Sequence, residues 1–193
     1  MHPPVCVEYE YPTYTPSNYF VSSYYDQLRP RRVVIVTPQS RSSAFRDQEK
    51  FAEEFAVQLR NAGIVDAVYT GTDHACNINA IRQGQFDEYQ LVRLSQLYNA
   101  DAVIYCDVVS MTPYAPLNAS VSLAMVDARE SVLLLAVDGN WDVRDPAVAR
   151  PFKKFTCRST RQDNFDSELR LQSPTEFLSF IAAELSQFIQ TLQ

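Results

Sequence analysis

Asp73, His74 and Cys76 stand together in the stretch 71–85 (GTDHACNINAIRQGQ), where a Cys–His pair invites a nucleophilic reading. That chemistry needs the base held at hydrogen-bond distance from the thiol and oriented by a third group. Two residues of separation in a loop supply neither. A metal site needs three or four ligands, and the chain has two histidines, His2 and His74, one of them at the very start. The cysteines Cys6, Cys76, Cys106 and Cys157 form no CxxC pair, and their three possible full pairings stay open. Cys106 falls in an apolar run and reads as a small core residue.

Charged candidates are no more specific. Arg150, Lys153, Lys154, Arg158 and Arg161 form a basic run with no acid before Asp163. Such a patch suits a phosphate, an acidic partner or anionic lipid. The plainer expectation is a solvated loop balanced by Asp163, Asp166 and Glu168. Glu53–Glu54 and Asp87–Glu88 fall on the polar faces of expected helices and read as solvating charge. The chain has only four glycines, at 63, 71, 84 and 139. None lie close enough together for a dinucleotide fingerprint, a phosphate loop or a nucleophile elbow. The expectation is therefore no catalytic, cofactor-binding or metal-ligating residue, no cofactor, and no enzymatic activity.

Scaffold patterns are more informative than reactive groups. At 193 residues, 46% hydrophobic and 21% charged, the chain can bury a core of its own. A net charge of −6 argues against general affinity for nucleic acid. No apolar run approaches the roughly 20 residues that span a bilayer. The opening Met-His-Pro-Pro lacks the basic and apolar regions of a signal peptide. That start leads us to expect either a cytosolic protein or a chain trimmed of its leader.

Residues 1–30 hold six of the 11 tyrosines and five of the 11 prolines, a composition that favours extended chain. They read as a Tyr/Pro-rich tether or arm, followed by a single α/β domain over 31–193. As a tether, residues 1–28 would be removable with little loss of thermal stability.

Within the domain, Val33–Thr37 is a short β-branched apolar run and predicts a buried strand. Phe51, Phe55 and Leu59 make a helical stripe ending at Gly63. Ile64–Thr70 predicts a second strand, Phe86–Ala100 a helix and Asp101–Met111 a third strand. From Leu117 to Asp127 apolar and polar residues alternate, predicting an antiparallel strand buried on one side. Val132–Trp141 completes a hairpin with it, and a short helix is expected over 144–155. Ser173, Pro174 and Glu176 form a capping box ahead of a long apolar stripe from Phe177 to Leu192. The order β-α-β-α-β-β-β-α predicts a mixed sheet of about five strands with helices packed on it.

The phrase Asn99–Tyr105 (NADAVIY), the turn TPYAP, the strand LNASVSLAMVDA and a hairpin ending in Trp141 together carry a resemblance. They resemble envelope lipoproteins related to the curli secretion lipoprotein. The N-terminal domain of the Tol β-propeller protein and the lipoprotein activators of penicillin-binding proteins are similar in fold. Where that family has a glycine in the hairpin, this chain has Arg129-Glu130-Ser131. The pore-forming hairpin inserts of the curli channel have no counterpart here. The resemblance implies a non-catalytic periplasmic or outer-membrane interaction module. It further implies other envelope proteins as partners, a lipid anchor upstream of residue 1, and room for oligomers. The competing expectation is a cytosolic nucleic-acid- or nucleotide-binding domain of similar fold.

Overall fold

A computed structural model describes residues 16, 18–38, 44–71, 83–159 and 169–192. These residues form one six-stranded mixed sheet with helices on both faces. In chain order the strands are β1 (Asn18–Val21), β2 (Arg32–Val36), β3 (Asp66–Tyr69), β4 (Ala102–Thr112), β5 (Asn118–Asp127) and β6 (Leu133–Asp142). The helices are α1 (Tyr25–Leu28), α2 (Ala44–Asn61), α3 (Glu88–Tyr98), α4 (Pro146–Ser159) and α5 (Pro174–Thr191). Across the sheet the strands run β1-β6-β5-β4-β2-β3. The β2–β3 and β2–β4 pairs are parallel, whereas β4–β5, β5–β6 and β6–β1 are antiparallel. Among the described residues, no helix is long and apolar enough to cross a membrane.

Local chemistry sets the element ends. Gly63 leaves α2 at φ +68°, a left-handed conformation that costs glycine little. The Asp87 carboxylate caps α3 by accepting from the main-chain N–H of Tyr89 and Gln90. Asn99 closes α3 at φ 52°. The expected cap of the last helix is present: Ser173 Oγ accepts from Glu176 N at 3.3 Å, with Pro174 in the first turn. The β5–β6 turn contains no glycine and is shaped by two devices. Asp127 accepts from Arg129 N and Glu130 N at 3.0 and 2.6 Å, and Ser131 itself takes φ 55°.

Two apolar layers form on opposite sides of the sheet. On the first face, α2, α4 and α5 pack Phe51, Phe55, Phe152, Phe177 and Phe180 against Ile35, Ile104, Val121, Val137 and Trp141. On the second face, α3 places Leu91 and Leu94 against Val34, Val36, Val103, Tyr105 and Val126. β2 is therefore buried on both sides, which is why its sequence is continuously apolar.

Three expectations need correction. The sheet has six strands, not about five. The extra one, β1, lies inside the segment 1–30 and pairs with β6 from Asn18↔Asp138 to Val21↔Leu135. Residues 18–28 are thus an arm that joins the sheet and buries Tyr25, while residues 1–15 lie outside the described residues. Secondly, β5 is buried on one side only over its first half. Ser120 and Ser122 are half-buried, but Ala124 and Val126 are buried under the layer built by α3. Thirdly, the helix expected over 144–155 runs on to Ser159, despite Pro151 within it.

Candidate functional site

The reactive trio Asp73, His74 and Cys76 lies outside the described residues, as do His2, Cys6 and Arg161. Among the described residues, no group of three or more His, Cys, Asp and Glu could hold a metal ion. Cys106 is fully buried among first-face core residues, and Cys157 is half-buried on α4. From Arg150 to Arg158 the basic run is helical rather than a loop. Arg150, Lys153 and Lys154 project at helical spacing from the side of α4 opposite Val148 and Phe152. The side chain of Arg158 lies outside the described residues. Asp87 spends its carboxylate on the α3 cap, and Glu54 accepts from Gln58 at 2.7 Å.

A polar group missed by sequence reasoning lies at the carboxyl ends of the parallel strands, where open α/β sheets commonly bind ligands. Gln48 Nε2 donates to Asp107 Oδ1 at 3.2 Å and to the Cys106 carbonyl at 3.3 Å. Thr70 Oγ1 donates to the Ile35 carbonyl at 3.4 Å, and the Thr37 and Tyr69 hydroxyls meet at 3.5 Å. Burial raises the Tyr69 hydroxyl above the ordinary tyrosine range, and Glu49, Glu53 and Cys106 add to this against the lowering contact from Thr37. These groups satisfy one another and tie the strand ends to α2, a structural arrangement. The signal in the sequence was Asp107, the one charge inside the run AVIYCDVVSM.

The other unaccounted region is the second face beyond α3. There β5 presents Asn118, Ser120 and Ser122, β6 presents Asp138, Asn140 and Asp142, and β1 presents Asn18 and Phe20. Ser120 Oγ donates to Asn140 Oδ1 at 3.0 Å, and Ser122 Oγ donates to Asp138 Oδ1 at 2.6 Å. Asn18 Nδ2 donates to the other oxygen of Asp138 at 3.3 Å. One carboxylate therefore links β5, β6 and β1 in a flat polar ladder. At the β6 end, the Arg144 guanidinium and main-chain N–H hold the Asp142 carboxyl well below the usual carboxylate range.

Exposed aromatic side chains lie on β1 and just after it, Phe20 among them on this face. Phe20 is 51% exposed and Tyr24 53%. Tyr19, on the first face opposite Val137, is 50% exposed even though its ring edge meets Phe188 at 5.1 Å. Among the described residues, no strand pairs with the outer edge of β1. An edge of this kind offers alternating main-chain donors and acceptors to an incoming extended segment. Exposed aromatic groups beside it provide the anchors common at protein interfaces. An edge strand beside such a ladder can recognise an extended polypeptide.

No protein-family profile matches the chain, and no curated protein matches it in sequence. Solved structures resemble it at low identity. The PelC dodecamer from Paraburkholderia phytofirmans is 12% identical, with a TM-score of 0.45 over 81% of this chain and 89% of that one. A lipoprotein from Neisseria meningitidis is 17% identical, with a TM-score of 0.40 over 57% of this chain and 79% of that one. A protein from Chlamydia trachomatis is 15% identical, with a TM-score of 0.42 over 83% of this chain and 99% of that one. At these scores the likeness is one of general outline.

Proposed function

We propose that this chain is a non-catalytic interaction or assembly module of the bacterial envelope, binding other envelope proteins through β1 and the open second face. The observation that carries the binding mode is the edge strand, with Phe20 half-exposed beside the part of the second face that α3 does not reach. The envelope setting, and a lipid anchor upstream of residue 1, rest on the sequence resemblance of NADAVIY, TPYAP and the hairpin ending in Trp141. The module makes its contacts by adding strands and covering a polar ladder, work that needs rigidity rather than reactive groups.

The test is site-specific photo-crosslinking in cells of the source organism, from the natural gene with whatever precedes this chain. A benzophenone amino acid replaces Phe20 in one strain and Gln187, exposed on the opposite layer, in another. Protein adducts are expected from position 20 and not from position 187, in the envelope fraction. Equal adducts from both positions, or none from position 20, would sink the binding mode. Recovery of the protein in the cytosolic fraction with nucleic acid attached would support the competing reading instead.

A further inference from the structure

A cleft of about 620 Å³ lies between α1 and the Gly63–Asp66 connection. We infer that this cleft binds a small organic anion, with an anionic oxygen head on an apolar body. The inference is independent of the interaction reading above.

The floor of the cleft is apolar, formed by buried Tyr25, Pro30, Ile64 and Val65. Three arginines, Arg29, Arg31 and Arg60, line the cleft, against two acids, Asp26 and Asp66. Asp66 already has a counter-ion at 3.3 Å in Arg32, which does not line the cleft. The lining thus has an excess of positive charge in a protein whose net charge is −6. Guanidinium forks match the paired oxygens of carboxylates and phosphates, and they do so best when held in place.

The walls are braced. Arg60 Nη1 donates to the Ala67 carbonyl, and Arg29 Nε donates to the Asp26 carbonyl at 3.1 Å. Arg31 and Arg32 both donate main-chain N–H to Asp101 Oδ2, at 3.0 and 3.1 Å. Asp66 N in turn donates to the Arg31 carbonyl at 2.8 Å. Preformed walls lower the ordering cost of binding. The volume suits a small molecule, since such sites commonly fall between about 300 and 1,000 Å³. An apolar floor together with these arginines selects a ligand with both parts: inorganic phosphate alone would leave the floor wet, and a neutral apolar molecule would leave the arginines unused.

Anilinonaphthalene sulfonate, which joins an apolar ring system to one anionic head, is the probe. Titrated into the full chain and followed by fluorescence, it should bind saturably at one site. The double variant Arg29→Gln/Arg31→Gln should bind about tenfold more weakly, as two charge-assisted contacts are lost. Arg93→Gln, exposed on α3, should bind as the parent does. Octanoate and octyl phosphate should displace the dye, their relative potency telling a carboxylate site from a phosphate site, while octanol should not. Circular dichroism and thermal melts check that both variants are folded. Dye binding that never saturates, that is unchanged in the folded double variant, or that octanol displaces equally well would overturn the proposal.

Discussion

Along β5, neighbouring residues meet two different surroundings. Leu117, Ala119, Val121, Leu123 and Met125 all face three helices and are buried throughout. Asn118, Ser120 and Ser122 face no described helix, and only from Ala124 onward does the layer of α3 close over that side. The first face is a core, and a change there is felt as lost burial or stranded charge. The second face is half core and half surface, so the same chemical change should cost much or little depending on how far along the strand it falls. On the proposed function, the first layer supplies the stability, and the part of the second face that no described helix covers supplies the binding surface.

The largest test of this contrast is Val121→Asp, which places a carboxylate at a position 2% exposed among first-face apolar groups. It should destabilise by several kcal/mol, on the order of 3–5, and leave little folded protein in a urea titration. Deleting residues 1–28 should come next. This removes β1, the buried Tyr25 and the Tyr19–Phe188 contact, so the melting temperature should fall by more than about 5 °C. An unchanged melt would return residues 18–28 to the role of a tether.

Gly139→Ala sharpens the first-face half of the comparison. A Cβ at Gly139 would lie 2.2 Å from the Trp141 ring, which is itself fully buried, so the indole must shift. The expected cost is about 1–3 kcal/mol by chemical denaturation. Ser120→Asp, one residue from Val121 but on the open side, should change stability by less than about 1 kcal/mol. A large loss there would mean that the second face is covered after all. Smallest of all is the effect of pH on the Asp142–Arg144 pair at the surface, where Arg144 is largely exposed. The Asp142 carboxyl is depressed in the fold, so any stability it contributes is present above the ordinary aspartate range and is lost only as pH falls well below it. Arg144→Ala should return the carboxyl toward its usual titration, read by NMR, with no measurable change in stability at neutral pH.

Several elements were legible because one local signal sufficed. The last helix announced itself through Ser173-Pro174 and its Phe stripe, and β2 through an unbroken β-branched run. β1 was hidden because NYFV is four residues long and lies among prolines and tyrosines. Its pairing partner, Leu135–Asp138, stands more than a hundred positions away, and no local pattern reports such a pairing. The polar group around Asp107 and Gln48 was illegible for a related reason: a charge inside an apolar run looks like an interruption until its partner, contributed by α2, is in view.

The amino-acid sequence by itself determined the mixed α/β architecture, the end of α2 at Gly63, the capping of α5 and which residues of β5 share a face. All of these depend on periodicity or on contacts within a few residues. The tertiary structure alone decided that β1 joins β6, that α3 stops short of the outer strands, and that Arg29, Arg31 and Arg60 converge on one cleft. Those outcomes depend on where elements distant in sequence meet, and side-chain period carries no information about which helix covers which part of a sheet.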